Sequence, residues 1–458
     1  MKNLMLDDTI VAISTPVGKS GIGIVRLSGR SALSIADKIF VPSDGKCPSQ
    51  FPTHKLNYGW IKDIDEVLLS VMRAPKTYTR EDIVEINCHS GIVVLKKILE
   101  LVLKHGVRLA EPGEFTKRAY LNGRIDLAQA EAVLDVINSQ THNALSVALG
   151  QLKGRLSRKV KALRKNLLDI LTQLELSIDF CDQDVEPISQ QESLKRMNRV
   201  WQDLKELAAS ADKGAILRQG ISCVICGKPN VGKSSLLNAL LKRDRAIVTP
   251  IPGTTRDTLE ETVDLSGIPL RLVDTAGISQ GRNLAQKEAV KRSRRALKEA
   301  DLVLLVLDAS KKLTSQDLAI SRSVSGRTAF VVLNKQDLPA KITIEQAARL
   351  SPGKKVLKIS ALYGEGLERL EQEIADYIWG GKSASGAEVL VTNIRHREAL
   401  EKAQVFLKRA IKATEASRGA EIVALEIKEA QASLGEIIGK ISCEDILDRI
   451  FSQFCIGK

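Results

Sequence analysis

The stretch GKPNVGKSS, Gly227 to Ser235, has residue types and a spacing that suit phosphate binding. It matches G-x-x-x-x-G-K-[ST] and lies between the strand-like run SCVIC and the helix-like run SLLNALL. Glycines let backbone N–H groups turn toward phosphate oxygens, and the following helix adds the positive end of its dipole. In this pattern Lys233 reaches the terminal phosphates and the Ser234 hydroxyl binds Mg²⁺. The stretch therefore predicts a P-loop.

Further motifs indicate that the nucleotide is GTP. DTAG begins at Asp274, NKQD ends at Asp337, and SAL begins at Ser360. An N-K-x-D resembles the guanine-selecting element of GTPases, in which the carboxylate accepts hydrogens from N1 and the 2-amino group, a pattern that adenine lacks. The run PGTTRD resembles a first switch, with Thr255 as the second hydroxyl ligand of Mg²⁺. This order of motifs favours a GTPase over an α/β domain with only a structural role.

The residue after DTAG is Ile278, where Ras-like enzymes have a glutamine that orients the attacking water. Either catalysis is slow, or another group supplies the charge and aligns the water. The predicted GTP-binding residues are Asn230, Val231, Gly232, Lys233, Ser234, Ser235, Thr249, Pro250, Ile251, Pro252, Gly253, Thr254, Thr255, Asp274, Thr275, Ala276, Gly277, Asn334, Lys335, Asp337, Ser360, Ala361 and Leu362.

Three regions position these motifs. Residues 1–119 mix strand-like runs with one helical run, which predicts an α+β domain. Leucine, isoleucine and valine then recur at spacings of three and four residues from Leu145 to Ile178, which predicts one long amphipathic helix. Helical character returns after the linker GGKSASG. We expect an all-α domain, residues 120–216 and 381–458, that is interrupted by an inserted Ras-like α/β P-loop domain, residues 217–380.

Composition limits the function classes. The chain has 458 residues, which favours two or three domains. It has no signal-peptide pattern and no apolar run long enough to span a membrane, so we expect a cytoplasmic protein. Seven scattered cysteines suit reduced thiols, and the pair Cys223 and Cys226 is predicted to lie in a strand instead of binding zinc.

The net charge of +13 makes a polyanionic partner plausible. No aromatic residue interleaves with the cations of the long helix, so the sequence alone favours a solvated basic face over a nucleic-acid site. Those cations are Lys153, Arg155, Arg158, Lys159, Lys161, Arg164 and Lys165.

The whole chain resembles the MnmE (TrmE) family of tRNA-modification GTPases. The resemblance is carried by G-x-P-N-x-G-K-S-S with G-T-T-R-D, by the opening DTIVAISTPVGKSGIGIVRLSG, by EPGEFTKRAYLNGRIDLAQAEAV and by the final RIFSQFCIGK. It implies a homodimer whose G domains bind K⁺ where other GTPases place an arginine finger. The potassium ligands carried over are Asn230, Thr249, Ile251 and Thr254.

One position departs from the family pattern. The family has a catalytic glutamate twelve residues after the DTAG aspartate, and that count gives Gln286 here, with Glu288 two positions later. Glutamine can hydrogen-bond a water but cannot accept its proton. Either Glu288 substitutes, hydrolysis is slower, or the loop has a different register.

The resemblance also implies one-carbon chemistry in the first domain. The family binds 5,10-methylene-tetrahydrofolate, or 5-formyl-tetrahydrofolate as a ligand, and the contacts carried over are Arg26, Glu85, Arg124 and Lys458. With the flavoprotein MnmG (GidA), the family adds aminomethyl or carboxymethylaminomethyl groups at C5 of the wobble uridine of certain tRNAs. Arg80 stands where the family commonly has glycine.

The end of the chain, Cys455-Ile456-Gly457-Lys458, does not fit a prenylation box. By resemblance it lies beside the folate pocket, and Cys455 is either a catalytic thiol or a neighbour of the site. Two other functions stay open. A ribosome-assembly or other regulatory RNA-binding GTPase would lack folate chemistry and would need an RNA-binding module. A folate-dependent enzyme with a vestigial G domain would not need the intact guanine and Mg²⁺ positions.

Overall fold

The computed structural model describes residues 8–179, 189–243, 260–274, 295–379, 391–440 and 444–458. The chain divides into two compact units. Unit 1 is Met1–Leu134, Gln151–Leu194 and Arg409–Lys458, and unit 2 is Asp135–Gly150 and Lys195–Lys408. No helix in the described ranges is both long and apolar enough to cross a membrane.

Unit 1 contains a mainly antiparallel sheet of seven strands in the order β3-β4-β5-β6-β2-β1-β7. Its strands are β1 (Ile10–Ile13), β2 (Gly23–Ser28), β3 (Phe40–Pro42), β4 (Lys55–Ile61), β5 (Asp65–Met72), β6 (Ile83–Cys88) and β7 (Arg108–Leu109). Side chains alternate between the two faces of a strand. One face, with Val25, Leu69 and Ile86, packs in a core with helices α1 (Ala32–Ile39) and α2 (Ile92–Leu103).

The other face of this sheet is covered over only part of its width. Near β1 it contacts helix α3 (Glu114–Leu121), because Phe115 packs against Ile10 and Ala12. Toward β3, β4 and β5 it presents large apolar side chains to solvent. These are Val41, Leu56, Tyr58, Trp60 and Leu68, called here the apolar half-sheet, each 40–62% exposed.

The rest of unit 1 is helical. Helix α6 (Arg155–Asp179) packs along helix α14 (Ala420–Ile437), where Gln431 Nε2 donates to the Arg164 carbonyl oxygen at 2.9 Å. The helices of both units not yet given are α4 (Leu127–Asn138), α5 (His142–Leu152), α7 (Gln190–Ala209), α8 (Ala211–Gln219), α9 (Lys233–Arg243), α10 (Ser315–Ser323), α11 (Ile344–Leu350), α12 (Leu367–Trp379), α13 (Ile394–Glu415) and α15 (Glu444–Phe451).

The single long helix predicted from Leu145 to Ile178 is wrong. The chain forms two helices, α5 and α6, with a break at Lys153 and Gly154. Gly154 has φ of +76°, a left-handed conformation that ends a helix at low cost only for glycine. The apolar spacing continues across the break, so periodicity alone did not reveal it.

Unit 2 contains a six-stranded sheet in the order β13-β12-β11-β8-β10-β9, parallel except for β9. The strands are β8 (Ile221–Cys226), β9 (Glu260–Leu265), β10 (Ile268–Asp274), β11 (Leu302–Asp308), β12 (Ala329–Asn334) and β13 (Lys355–Lys358). In β8, Cys223 and Ile225 face one core while Val224 and Cys226 face the other. The inserted α/β domain is therefore a sheet covered on both faces, as its continuous apolar strands require.

Candidate functional site

The P-loop lies between β8 and α9, as the sequence predicted. Lys233 is 9% exposed, and its Nζ donates to the Lys228 carbonyl oxygen at 2.8 Å. Asn230 has φ of +63°, a conformation that is uncommon for a residue with a side chain and that turns the loop. The lysine is thus folded back over the loop, where a phosphate oxygen would meet it.

The loop is braced by the motif predicted to read the base. Asn334 Nδ2 donates to the Val231 carbonyl oxygen at 2.9 Å, and its Oδ1 accepts from the Ala361 N–H at 3.0 Å. Lys335 Nζ donates to the Asn230 carbonyl oxygen at 2.8 Å. Asn334 ends β12, Lys335 follows it, and β11 separates β12 from β8 in the parallel part of the sheet. The hydrogen bonds therefore reach across the carboxyl end of β11 and connect the phosphate loop to the base-reading segment.

Asp308 contacts the base-reading segment, although no sequence motif marks it. It ends β11 with a side chain 3% exposed, and its Oδ2 lies 2.8 Å from Lys335 Nζ. Burial acts to raise the pKa of Asp308, but hydrogen bonds from Lys335 and Ser310 outweigh it and hold the pKa below its usual value. A carboxylate at the carboxyl end of an otherwise apolar strand, LVLLVLD, was the signal that could have revealed it.

Asp337 lies where a base could reach it. It is exposed, and Ser360 Oγ donates to its Oδ1 at 2.6 Å, which orients the carboxylate. Each carboxylate oxygen has two acceptor positions, so both can still accept from a ligand. The SAL segment therefore contributes through Ser360 and Ala361, while the Leu362 side chain is 74% exposed.

Part of the predicted nucleotide site lies outside the described residues. This holds for Thr249, Pro250, Ile251, Pro252, Gly253, Thr254, Thr255, Thr275, Ala276, Gly277, Gln286 and Glu288. Asp274 ends β10, and its side chain is likewise not described. Ser234 and Ser235 are exposed at the start of α9, and Gly232 lies between Val231 and Lys233 in the loop.

The two thiols of β8 are buried, which agrees with the predicted strand. Burial raises the pKa of Cys226 to about 12 and also raises the pKa of Cys223. Both thiols therefore stay protonated at neutral pH and act as apolar core residues.

A second constellation lies in unit 1, on the partly covered face of the sheet. Arg26 and Glu85 are cross-strand neighbours on β2 and β6, and Arg26 Nε donates to Glu85 Oε1 at 2.7 Å. The Arg26 guanidinium lies 5.6 Å from the centre of the Phe115 ring. Arg124, also predicted from the family, stacks 4.7 Å from the centre of the Tyr78 ring.

The final residues of the chain reach this constellation. Arg26 Nη1 donates to the Gly457 carbonyl oxygen at 3.3 Å, and the Phe115 N–H donates to a backbone oxygen of Lys458 at 3.1 Å. Phe451 and Phe454 anchor the segment because both are buried in a small core with Leu127. The structure therefore brings Arg26, Glu85 and Lys458 together, with Gly457 of the predicted tail beside them and Phe115 as a neighbour that the sequence did not reveal.

Lys458 and Cys455 differ in their surroundings. Burial lowers the pKa of Lys458 and Arg26 lowers it further, while Glu85 and Cys455 act in the opposite direction. Cys455 is exposed, and its carbonyl oxygen accepts from the Gly113 N–H at 3.4 Å. Its thiol is thus accessible at the edge of the constellation.

A buried network of ion pairs holds helix α3 in place. Arg118 is 1% exposed and pairs with Glu114 at 2.9 Å, Asp8 at 2.7 Å and Glu81 at 3.1 Å. Breaking such a network leaves an uncompensated buried charge, so it holds the first turn of α3 and Phe115 in one position.

Comparison with known proteins agrees with this arrangement. A family described as "MnmE helical domain" matches residues 127–455, and "GTP-binding protein TrmE N-terminus" matches residues 9–124. A protein of Alkaliphilus oremlandii named "tRNA modification GTPase MnmE" is 48% identical over 99% of this chain and 100% of its own length. The chain belongs to the MnmE family. A relative of the same name from Geobacillus kaustophilus is 47% identical over 98% of this chain and 99% of its own.

Solved GTPase structures match parts of this MnmE-family chain. Era of Aquifex aeolicus bound to GDP and AlF4⁻ is 28% identical, covers 41% of this chain and 66% of its own, with a TM-score of 0.30. The G domain of the Thermotoga maritima protein FeoB is 29% identical, covers 34% of this chain and 98% of its own, with a TM-score of 0.28.

Proposed function

We propose that this chain is a GTPase that acts in tRNA modification in the cytoplasm. The observation that carries the proposal is the brace from Asn334 and Lys335 to the P-loop, which joins phosphate binding to base reading in one site. The relatives that cover nearly the whole chain are named tRNA modification GTPases. Mass analysis of tRNA from cells that lack this gene tests the proposal, and unchanged wobble uridines would refute it.

GTP and Mg²⁺ fit the residues of this site. The Lys233 ammonium is positioned for the terminal phosphates, and the exposed Ser234 hydroxyl is free to bind the metal. Bound Mg²⁺ offsets charge on the phosphates during hydrolysis. We further propose that Asn230, Thr249, Ile251 and Thr254 hold K⁺, with Thr255 as a second Mg²⁺ ligand. GTP turnover of the purified chain should be faster in KCl than in NaCl, and equal rates would exclude potassium activation.

We assign the alignment of the water that attacks GTP to Gln286 or Glu288. The test is single-turnover hydrolysis with Gln286→Ala and Glu288→Ala measured separately. The variant that loses activity identifies the residue. If neither variant is slower than the unchanged chain, both assignments are wrong.

A tetrahydrofolate one-carbon unit is proposed to bind at Arg26, Glu85, Arg124 and Lys458. Among the described residues, the Ser14 hydroxyl is buried without a hydrogen-bond partner, next to the docked Gly457. An orphan hydroxyl near the Glu85 carboxylate and the cations Arg26 and Lys458 suits a ligand with a hydrogen-bonding ring and a carboxylate tail. Glu85 would accept from the pterin donors, while the cations would meet the glutamate part.

The wobble-uridine chemistry is proposed to need two further components, the flavoprotein MnmG and a second copy of this chain. The apolar half-sheet supports the homodimer, because exposed tyrosine, tryptophan and leucine side chains form the kind of patch that proteins cover on association. Trp60→Glu should shift the sedimentation of the purified chain from dimer to monomer. The matched change Leu362→Glu, at a 74% exposed leucine of unit 2, should leave it dimeric.

A further inference from the structure

The first half of α6 carries a concentration of positive charge that neither candidate site uses. Residues 155–165 include six lysines or arginines and no aspartate or glutamate. The formal net charge of the whole chain is +13, so about three helical turns carry a positive charge equal to nearly half of that value.

Four of these cations lie on the side of α6 that faces away from its packing. The buried apolar residues of the same segment occupy the opposite side and are Leu156, Val160 and Leu163. Over ten residues of helix, the exposed cations span about 15 Å. They are Arg155, Arg158, Lys161 and Lys165, called here the basic stripe.

The charge of the stripe is poorly compensated. Its one acidic partner among the residues that the structure describes is Asp126, whose Oδ2 lies 3.2 Å from Lys161 Nζ. Arg158 Nη1 donates to the Lys153 carbonyl oxygen at 2.8 Å, which leaves its charge in place. Like charges three and four residues apart destabilise a helix, so the stripe is unfavourable for folding alone. A partner with negative charge would offset this repulsion.

We propose that the basic stripe binds the phosphate backbone of tRNA, an inference that rests on the proposed function. The absence of aromatic residues from 153 to 165 argues against base stacking, and phosphate contacts do not need it. The exposed side of this segment also lacks a large apolar residue that could form the centre of a protein interface. The stripe thus positions RNA independently of its sequence.

The test compares two double variants of the full chain that change the net charge equally. R158Q/K165Q removes two stripe cations, and K97Q/K104Q removes two exposed lysines of the same unit, Lys97 in α2 and Lys104 directly after it. Binding of an unmodified tRNA transcript is measured by fluorescence anisotropy over a series of salt concentrations. Each lost phosphate contact reduces the magnitude of the negative slope of log K against log salt by about 0.7–0.9.

The stripe variant should lose about 1.4–1.8 in slope, from two contacts, while the α2 variant keeps the slope of the unchanged chain. Equal slopes in all three proteins, or equal losses in both variants, would overturn the proposal. Weaker binding of the purified flavoprotein partner with unchanged tRNA binding would make the stripe a protein interface and overturn it as well. The proposed function is tested separately, by mass analysis of tRNA from the deletion strain after the unchanged chain has been supplied. Restored modification supports the proposed function whatever the stripe binds.

Discussion

Replacing Gly457 by alanine should release the end of the chain from the Arg26–Glu85 constellation and weaken folate binding. Gly457 has φ of +95°, a conformation that residues with a side chain rarely adopt. An added Cβ would lie 2.6 Å from the Ile13 carbonyl oxygen and 2.8 Å from the Ser14 Cα. Both contacts are to backbone atoms of β1 and its end, which cannot rotate away.

The expected loss follows from the contacts. The left-handed conformation costs an alanine about 1–2 kcal/mol. Undocking relieves this strain but removes the hydrogen bonds from Arg26 and Phe115 to the tail, which contribute about 1 kcal/mol each. The loss of about 2 kcal/mol corresponds to a Kd for folate that is about 30-fold higher.

The assay is calorimetric titration of 5-formyl-tetrahydrofolate into the full chain, with Gly45→Ala as the matched control. Gly45 also has a positive φ, +75°, but an added Cβ there meets no atom within 4 Å. The control should lose some stability to strain while it keeps the folate Kd. Equal Kd values for Gly457→Ala and the unchanged chain would refute the role of the docked tail.

Three further predictions concern single groups. Asp337→Asn replaces a hydrogen-bond acceptor with a donor, so KM for GTP should rise about 10- to 100-fold. Xanthosine triphosphate, which has a carbonyl at C2, should become a better substrate. Unchanged GTP kinetics would exclude Asp337 as the residue that reads the base. Asp308 has a pKa below the usual 3.8, so its stabilisation is complete above that value and is lost as the pH falls below it. Asp308→Asn should therefore lower Tm at neutral pH and flatten the acid limb of a Tm–pH profile, and parallel profiles would contradict the pairing with Lys335. Cys455→Ser should abolish tRNA modification if the thiol is catalytic, with normal folate binding, whereas normal modification would reduce Cys455 to a neighbour of the site.

The sequence predicted the parts of the fold that depend on local pattern. The run DEVLLSVM became β5 over the same residues, and the P-loop motif appeared between a strand and a helix as expected. The composition of the turn-rich run VPSDGKCPSQFPTHK favours a loop, yet its start belongs to β3. Strand pairing with β4 decides that assignment, and pairing across the chain is not a local property.

The site was predictable where a motif fixes chemistry at a fixed spacing. Lys233 and Asp337 were predicted in this way, whereas Asp308 and Phe115 were not, because their contacts are to neighbours far away in the chain. Arg80 illustrates the same limit. It has φ of +64°, a conformation that glycine adopts without strain, and its Nη1 donates to the Asn122 carbonyl oxygen at 2.9 Å, a compensation that no sequence pattern reveals.

The brace between Asn334 and the P-loop also affects how specificity measurements on this enzyme should be read. Asn334 belongs to the base-reading motif, but its hydrogen bonds go to Val231 and Ala361, so its loss would loosen the phosphate cradle. Substitution of Asn334 should then weaken GTP, ATP and inosine triphosphate by the same factor, and the ratios of kcat/KM among them would stay constant. Discrimination between nucleobases and affinity for triphosphates are therefore separable quantities here, although two residues of one motif, Asp337 and Asn334, govern them.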